Sequence, residues 1–218
     1  MRLALALSLC LATAAPARAC DIALVLAIDV SGSVDAAEYA LQAGGLADAL
    51  NDPEIVDALV ARQAALAVVH WSATRMQALT QDWKRMLDAG DVARFAAAAR
   101  AEPRAFDGAD TAVSNALVFS AGQFDRVPDC RQRVIDISGD GPQNAGVTLG
   151  PARGRILDEG IVINAIAIED MGAAMSVTEF YRRLVISPGG FVVTARGHRD
   201  YPAAIRAKLL REITMPSS

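Results

Sequence analysis

Runs of apolar residues alternate along the chain with segments whose apolar positions recur every three or four residues. Residues 22–28 are continuously apolar, as expected of a central strand covered on both faces. Residues 33–50 read as a helix, and the Gly44-Gly45 pair inside it marks either a weak point or a site of close packing. Residues 64–71 predict a second strand and residues 76–80 a short third one. The link between those two is too short for a parallel crossover, so the pair is expected to be antiparallel. An Ala-rich stretch over 91–100 predicts a helix. Val113, Ala116, Leu117, Ser120, Ala121 and Phe124 fall at helical spacing and give the next helix a small-residue packing face. A strand over 134–137 follows, then a short helix over 151–159 that opens near Pro151 and stops at Gly160. Residues 161–168 are another buried strand. Ser176 and Glu179 have the spacing of a capping box for a helix reaching about Val185. Residues 191–194 read as the last strand, and Asp200 as the cap of a final helix in which Tyr201, Ile205, Leu209 and Ile213 repeat every four residues. This alternation predicts an α/β fold, a parallel or mostly parallel sheet with helices on both faces.

Composition sets the scale of that fold. The 218 residues suffice for one full-sized domain with a buried core and are short for two. Hydrophobic residues make up 53% and charged residues 21%, a globular composition and not a disordered one. The net charge of −4 and the lack of a Lys/Arg stripe argue against a nucleic-acid partner.

The N-terminus reads as a targeting segment. Arg2 supplies a positive start, residues 3–15 an apolar run, and Ala17-Arg18-Ala19 the small-x-small pattern read by signal peptidase. Residues 1–19 are therefore expected to be a signal peptide and residues 20–218 a single domain. Lipidation at Cys20 is the alternative, disfavoured by Arg18 at the processing site. Cleavage removes Arg2 and Arg18 and takes the net charge from −4 to −6. No later apolar run is long enough to span a bilayer, so the expected location is the bacterial periplasm or exterior. Cys10 leaves with the signal. Cys20 and Cys130 remain, an even number in an oxidising compartment, for which a disulfide is the default and two separate buried thiols the alternative.

Two acidic segments carry the chemistry. The first strand runs into Asp29-Val30-Ser31-Gly32-Ser33, and the strand at 134–137 runs into Ser138-Gly139-Asp140-Gly141. Both sit at carboxyl ends of strands, the edge at which open α/β sheets bind ligands. Thr111 lies just ahead of a helix that could start at the same edge. Carboxylate and hydroxyl oxygens suit a hard divalent cation such as Mg²⁺, and the absence of Cys and His from these segments argues against zinc. For Asp29, Ser31 and Ser33 the plain alternative is a capped strand-to-helix turn, and for Thr111 an ordinary helix cap.

Together these segments resemble the metal-ion-dependent adhesion site of von Willebrand factor A (vWA) domains: Asp-x-Ser-x-Ser after the first strand, a Thr before a helix, and Asp-Gly after the fourth strand. A closer likeness is to a family of secreted bacterial proteins of unknown function, in residues 26–34 and 137–141, around Trp83, and in residues 208–213. The vWA resemblance implies a doubly wound six-stranded sheet of order 3-2-1-4-5-6 with only strand 3 antiparallel. It also implies a metal held by Asp29, Ser31, Ser33, Thr111 and Asp140. In that fold Cys20 and Cys130 would lie near each other, on the edge opposite the metal.

The remaining candidates read more plainly. Asn144 could orient a ligand but reads as a turn residue. Asp136 is expected to pair locally. His70 and His198 lack ligand spacing and read as structural, and Trp71 and Trp83 as core or helix-packing residues. No Gly-x-Ser-x-Gly and no phosphate-cradling loop is present, and no His is placed by sequence as a base for Ser31. The expected function is a metal-dependent protein-binding module whose Mg²⁺, Mn²⁺ or Ca²⁺ bridges to an acidic residue of a protein partner. The alternatives are a metal-dependent hydrolase using the ion as Lewis acid, and a structural domain with a vestigial metal site.

Overall fold

All eight residues of β1 (Ile22–Asp29) are buried. Ile22, Leu24, Leu26 and Ile28 enter one apolar layer, and Ala23, Val25 and Ala27 the other. This is the two-residue period of a strand covered on both faces. The structure, a computed structural model, describes residues 20–107, 110–169 and 176–214, so the expected signal peptide lies outside the described residues.

β2 (Ala65–Trp71) and β4 (Gln132–Gly139) flank β1 in parallel, and β3 (Gln77–Arg85) lies antiparallel on the far side of β2. β5 (Val162–Ile168) and β6 (Val192–Ala195) continue in parallel beyond β4, giving the order β3-β2-β1-β4-β5-β6. Four helices cover one face: α1 (Ala36–Leu50), α2 (Pro53–Ala61), α3 (Ala89–Ala101) and α7 (Tyr201–Thr214). The other face carries α4 (Val113–Ala121), α5 (Leu149–Asp158) and α6 (Val177–Phe180).

Several elements depart from the sequence pattern for local reasons. α1 starts at Ala36 and not at Ser33, because Asp35 and Glu38 form a reciprocal capping box. Residues 31–34 are thereby left as a turn. α2 was hidden in the stretch between helix and strand, although Asp52 caps it and Pro53 opens it. β3 is nine residues long because its pairing with β2 continues across an irregularity near Val68. α5 begins two residues before Pro151, at Leu149. α6 is capped by the Ser176 side chain but also by Glu169, which accepts from Val177 N and Thr178 N. Asp200 accepts from Arg196 N, tying down the loop ahead of α7.

Close packing is the reading that holds for Gly45: a Cβ there would stand 2.9 Å from Cα of Pro202 on α7. Cys20 and Cys130 form the disulfide, with Arg131 N donating to Cys20 O at 2.9 Å beside it. Asp136 pairs with a residue far away in sequence. Lys208 on α7, wholly buried, reaches Asp136 at 2.7 Å and Glu212 at 2.8 Å, and Asn164 donates to Glu212 at 2.6 Å. Burial pushes the Asp136 carboxyl up, and the Lys208 ammonium opposes that. Trp71 is fully buried, and Trp83 packs on Phe124 and donates to Gln123 O, both as the pattern implies. Among the described residues no helix is long and apolar enough to cross a membrane.

Candidate metal centre

β1 feeds α1 on one face of the sheet, and its neighbour β4 feeds α5 on the other. The crevice above their carboxyl ends is the switch point, where no crossover covers the backbone. Ile28 pairs with Ser138, so Asp29 and Gly139 are the next residues up each strand and Asp140 follows.

A chain of oxygens spans the crevice. Asp29 is wholly buried; its Oδ1 accepts from Ser31 N at 2.8 Å, and its Oδ2 has no partner among the described residues. Ser31 Oγ and Ser33 Oγ lie 3.2 Å apart, and Ser33 Oγ donates to Asp140 Oδ1 at 2.7 Å. Four of the five candidate ligands are thus linked side chain to side chain or through one backbone N–H. Arg104 holds the turn from outside it, donating to Val30 O at 2.9 Å and Ser31 O at 2.8 Å.

Thr111 is tied to the same edge through its backbone. The neighbouring Ala112 N donates to Ser72 O at 2.9 Å, just beyond the end of β2. Thr111 N donates to Asn144 Oδ1 at 2.8 Å, and Asn144 N returns a bond to Thr111 O at 3.1 Å. Asn144 is therefore more than a turn residue: it clamps Thr111 to the loop that follows Asp140. The helix-cap alternative for Thr111 does not hold, since Ala112 is the N-cap of α4 and Gln143 Oε1 serves Ser114 N from across the crevice. Thr111 is buried, at 6% exposure.

Burial pushes the Asp29 carboxyl up to about 8, the Asp140 charge adds to this, and the bonds from Ser31 oppose it. Burial raises Asp140 as well, against the Ser33 hydroxyl and His198. Two mutually repelling carboxylates, an orphaned buried oxygen and intervening hydroxyls form a set that a hard divalent cation would relieve. The residues present fit such an ion. Among the described residues no three His, Cys, Asp or Glu side chains are grouped to hold a metal, so a cation held here would draw on hydroxyl oxygens as well.

Sequence reasoning missed three neighbours. Arg104 was invisible because its contacts are to backbone. His198, read as structural, has Nε2 4.0 Å from Asp140 Oδ2 and Nδ1 3.1 Å from Glu38 Oε1. With Ser33, Glu38, Asp140 and Glu169 it lines a cavity of about 170 Å³. Tyr181 lies against Gly139, and nothing in its local sequence marks it. His70, by contrast, is structural as read: it is buried against Tyr39, and burial lowers it to about 4.

Residues 19–217 match the model of DUF1194, a protein family of unknown function. The chain belongs to the DUF1194 family. No curated protein matches the sequence. Among solved structures, this DUF1194 protein is similar to proximal thread matrix protein 1 of the mussel byssus, at 17% identity and TM-score 0.65, over 88% of this chain and 48% of that one. Another structure of that matrix protein, with a zinc-occupied metal-ion-dependent adhesion site, matches at 17% identity and TM-score 0.61, over 89% and 46% of the two chains. The pilus adhesin SpaC of Lactobacillus rhamnosus GG matches at 14% identity and TM-score 0.64, over 88% and 30%. The von Willebrand factor domain of the pilus tip protein Mfa5 of Porphyromonas gingivalis matches at 10% identity and TM-score 0.60, over 92% and 98%. The fold of the DUF1194 chain is thus the vWA fold, with the strand order and the single antiparallel strand that the sequence resemblance implied. The chain spans less than half the length of the matrix protein and under a third of SpaC.

Proposed function

We propose that this DUF1194 chain is an exported protein-interaction module that binds its partner through a divalent cation, Mg²⁺ in the first instance, with Mn²⁺ or Ca²⁺ as substitutes. Asp29, Ser31, Ser33, Thr111 and Asp140 would hold the ion, and residues 1–19 would direct export and be removed by signal peptidase. The observation that carries the reading is the buried, half-partnered Asp29 carboxylate linked through Ser31 and Ser33 to Asp140 at the switch point. The Cys20–Cys130 disulfide supports an oxidising compartment. The adhesins and the zinc-occupied site among the structural neighbours support the same use of the fold.

When bound, the ion would supply a Lewis-acidic position that a partner's carboxylate can fill. The chain's own residues set up that position. Arg104 and the Asp35–Glu38 box fix the turn that presents Ser31 and Ser33, and Asn144 fixes Thr111. The two carboxylates, Asp29 and Asp140, balance the charge of a divalent ion, so the preference for an acidic partner rests on a carboxylate oxygen filling a coordination position that the chain leaves open.

Immobilised protein incubated with envelope extract tests this reading. Partner proteins retained in Mg²⁺, released by chelator and absent from Asp29→Ala support it. Retention that is equal with and without chelator refutes it. A hydrolase reading draws on one observation, His198 beside Asp140 as a base. Mg²⁺-dependent turnover of phosphoesters or peptides that is lost in His198→Gln would favour it.

A further inference from the structure

Tyr181 belongs to none of the motifs that mark the metal centre. Its side chain is wholly buried and its hydroxyl has no hydrogen-bond partner among the described residues. It opens a π-helical turn, Tyr181–Val185, directly after α6, in which Ile186 N donates to Tyr181 O at 3.0 Å. Turns of this kind insert an extra residue into a helix and recur at functional sites. Here the turn sends Tyr181 into the layer beneath the crevice, against Gly139 at the close of β4.

Gly139 is the point where the site's buried groups converge. A Cβ at this position would collide with the Tyr181 hydroxyl and would stand 3.1 Å from Asp29 Oδ2 and 3.3 Å from Trp71 Cζ2. The glycine lets the phenol and the Asp29 carboxylate approach over a bare backbone. Each brings to that spot one oxygen without a partner among the described residues, a donor on Tyr181 and an acceptor on Asp29. A phenylalanine would fill the same apolar layer without burying a hydroxyl, so packing does not account for the oxygen.

We propose that Tyr181 is a positioning residue of the metal centre: its hydroxyl, not hydrogen-bonded to Asp29 in this structure, would close on Asp29 Oδ2 when a cation is bound and fix that oxygen without itself touching the cation. Outer partners of this kind orient a ligating carboxylate, and their loss weakens metal binding typically 10–100-fold. The inference rests on the metal-centre reading above.

The test compares the purified wild-type protein with Tyr181→Phe after stripping with chelator. Calorimetric titration with Mg²⁺ gives the affinity, and thermal unfolding in chelator gives the stability of the metal-free state. The expected result is an affinity at least ten-fold weaker in Tyr181→Phe with a metal-free melting temperature equal to or above wild type. An affinity within two-fold of wild type overturns the proposal. A second measurement needs only wild type: adding Mg²⁺ should perturb the near-ultraviolet absorption of a buried tyrosine, and no tyrosine difference band overturns the proposal. Wild-type protein that binds no Mg²⁺ at all overturns the metal-centre reading itself, a failure seen before any variant is compared.

Discussion

Asp29→Asn is expected to stabilise the metal-free protein while removing its stabilisation by Mg²⁺. The asparagine keeps the oxygen that accepts from Ser31 N and replaces a wholly buried ionisable group by one that is neutral at every pH. Burial raises the Asp29 carboxyl from 3.8 to about 8. Between those two values the unfolded chain has released a proton that the metal-free folded chain retains. Stability is therefore fully present below the lower value and is lost as pH rises towards the upper one. The loss runs at about 1.4 kcal/mol per pH unit and reaches about 4 kcal/mol by pH 7, an upper figure because the crevice relaxes. The amide of the variant does not ionise and carries no such penalty. Urea unfolding of both proteins in chelator should give an advantage to Asp29→Asn of a few kcal/mol at pH 7, shrinking towards zero near pH 4. In Mg²⁺ at 100 times its dissociation constant, wild type should regain about 2.7 kcal/mol and the variant nothing. An Asp29→Asn protein less stable than wild type in chelator at pH 7 would refute the reasoning, because it would make Asp29 a structural anchor.

Two other outcomes follow from the fold. Replacing Cys20 and Cys130 together by Ser opens a loop closed across a sequence separation of 110 residues, and urea unfolding should show a loss of about 4–5 kcal/mol in the chain-entropy model. Lys208→Met leaves Asp136 and Glu212 buried without their cation, and should cost about 3–5 kcal/mol at neutral pH. That deficit should shrink in acid, because protonation of the raised Asp136 carboxyl removes unpaired buried charge; a deficit that grows below pH 6 would contradict it.

The strands were the most legible part of the chain. Every residue of β1, and every residue of β5 after Val162, has only a buried face to occupy, so their apolar runs leave no other reading. α2 was missed because only Ile55 and Leu59 are buried on its nine residues, too thin a stripe to declare itself. The split of the Val177 segment into a short α-helix and a π-helical turn was likewise unreadable, since no local spacing distinguishes the two and Tyr181, which opens the turn, packs against Gly139 of β4. In the site, the candidate ligands Asp29, Ser31, Ser33 and Asp140 were visible because they follow strands directly. The residues that hold them in place were not. Arg104 acts through carbonyl groups 73 and 74 residues away, and Asn144 on Thr111 across 33 residues. His198 reaches Asp140 only because β6 and α7 return to that edge of the sheet. Such contacts are properties of topology and leave no local spacing to find.

The claim that the switch-point crevice is a cation site is tested most directly by titrating chelator-stripped protein with Mn²⁺ and following free Mn²⁺ by electron paramagnetic resonance. The expected result is a single site per chain, displaced by Mg²⁺ and lost in both Asp29→Ala and Asp140→Ala. Mn²⁺ that stays free in the presence of folded wild-type protein, or that binds both variants as tightly as wild type, would contradict it.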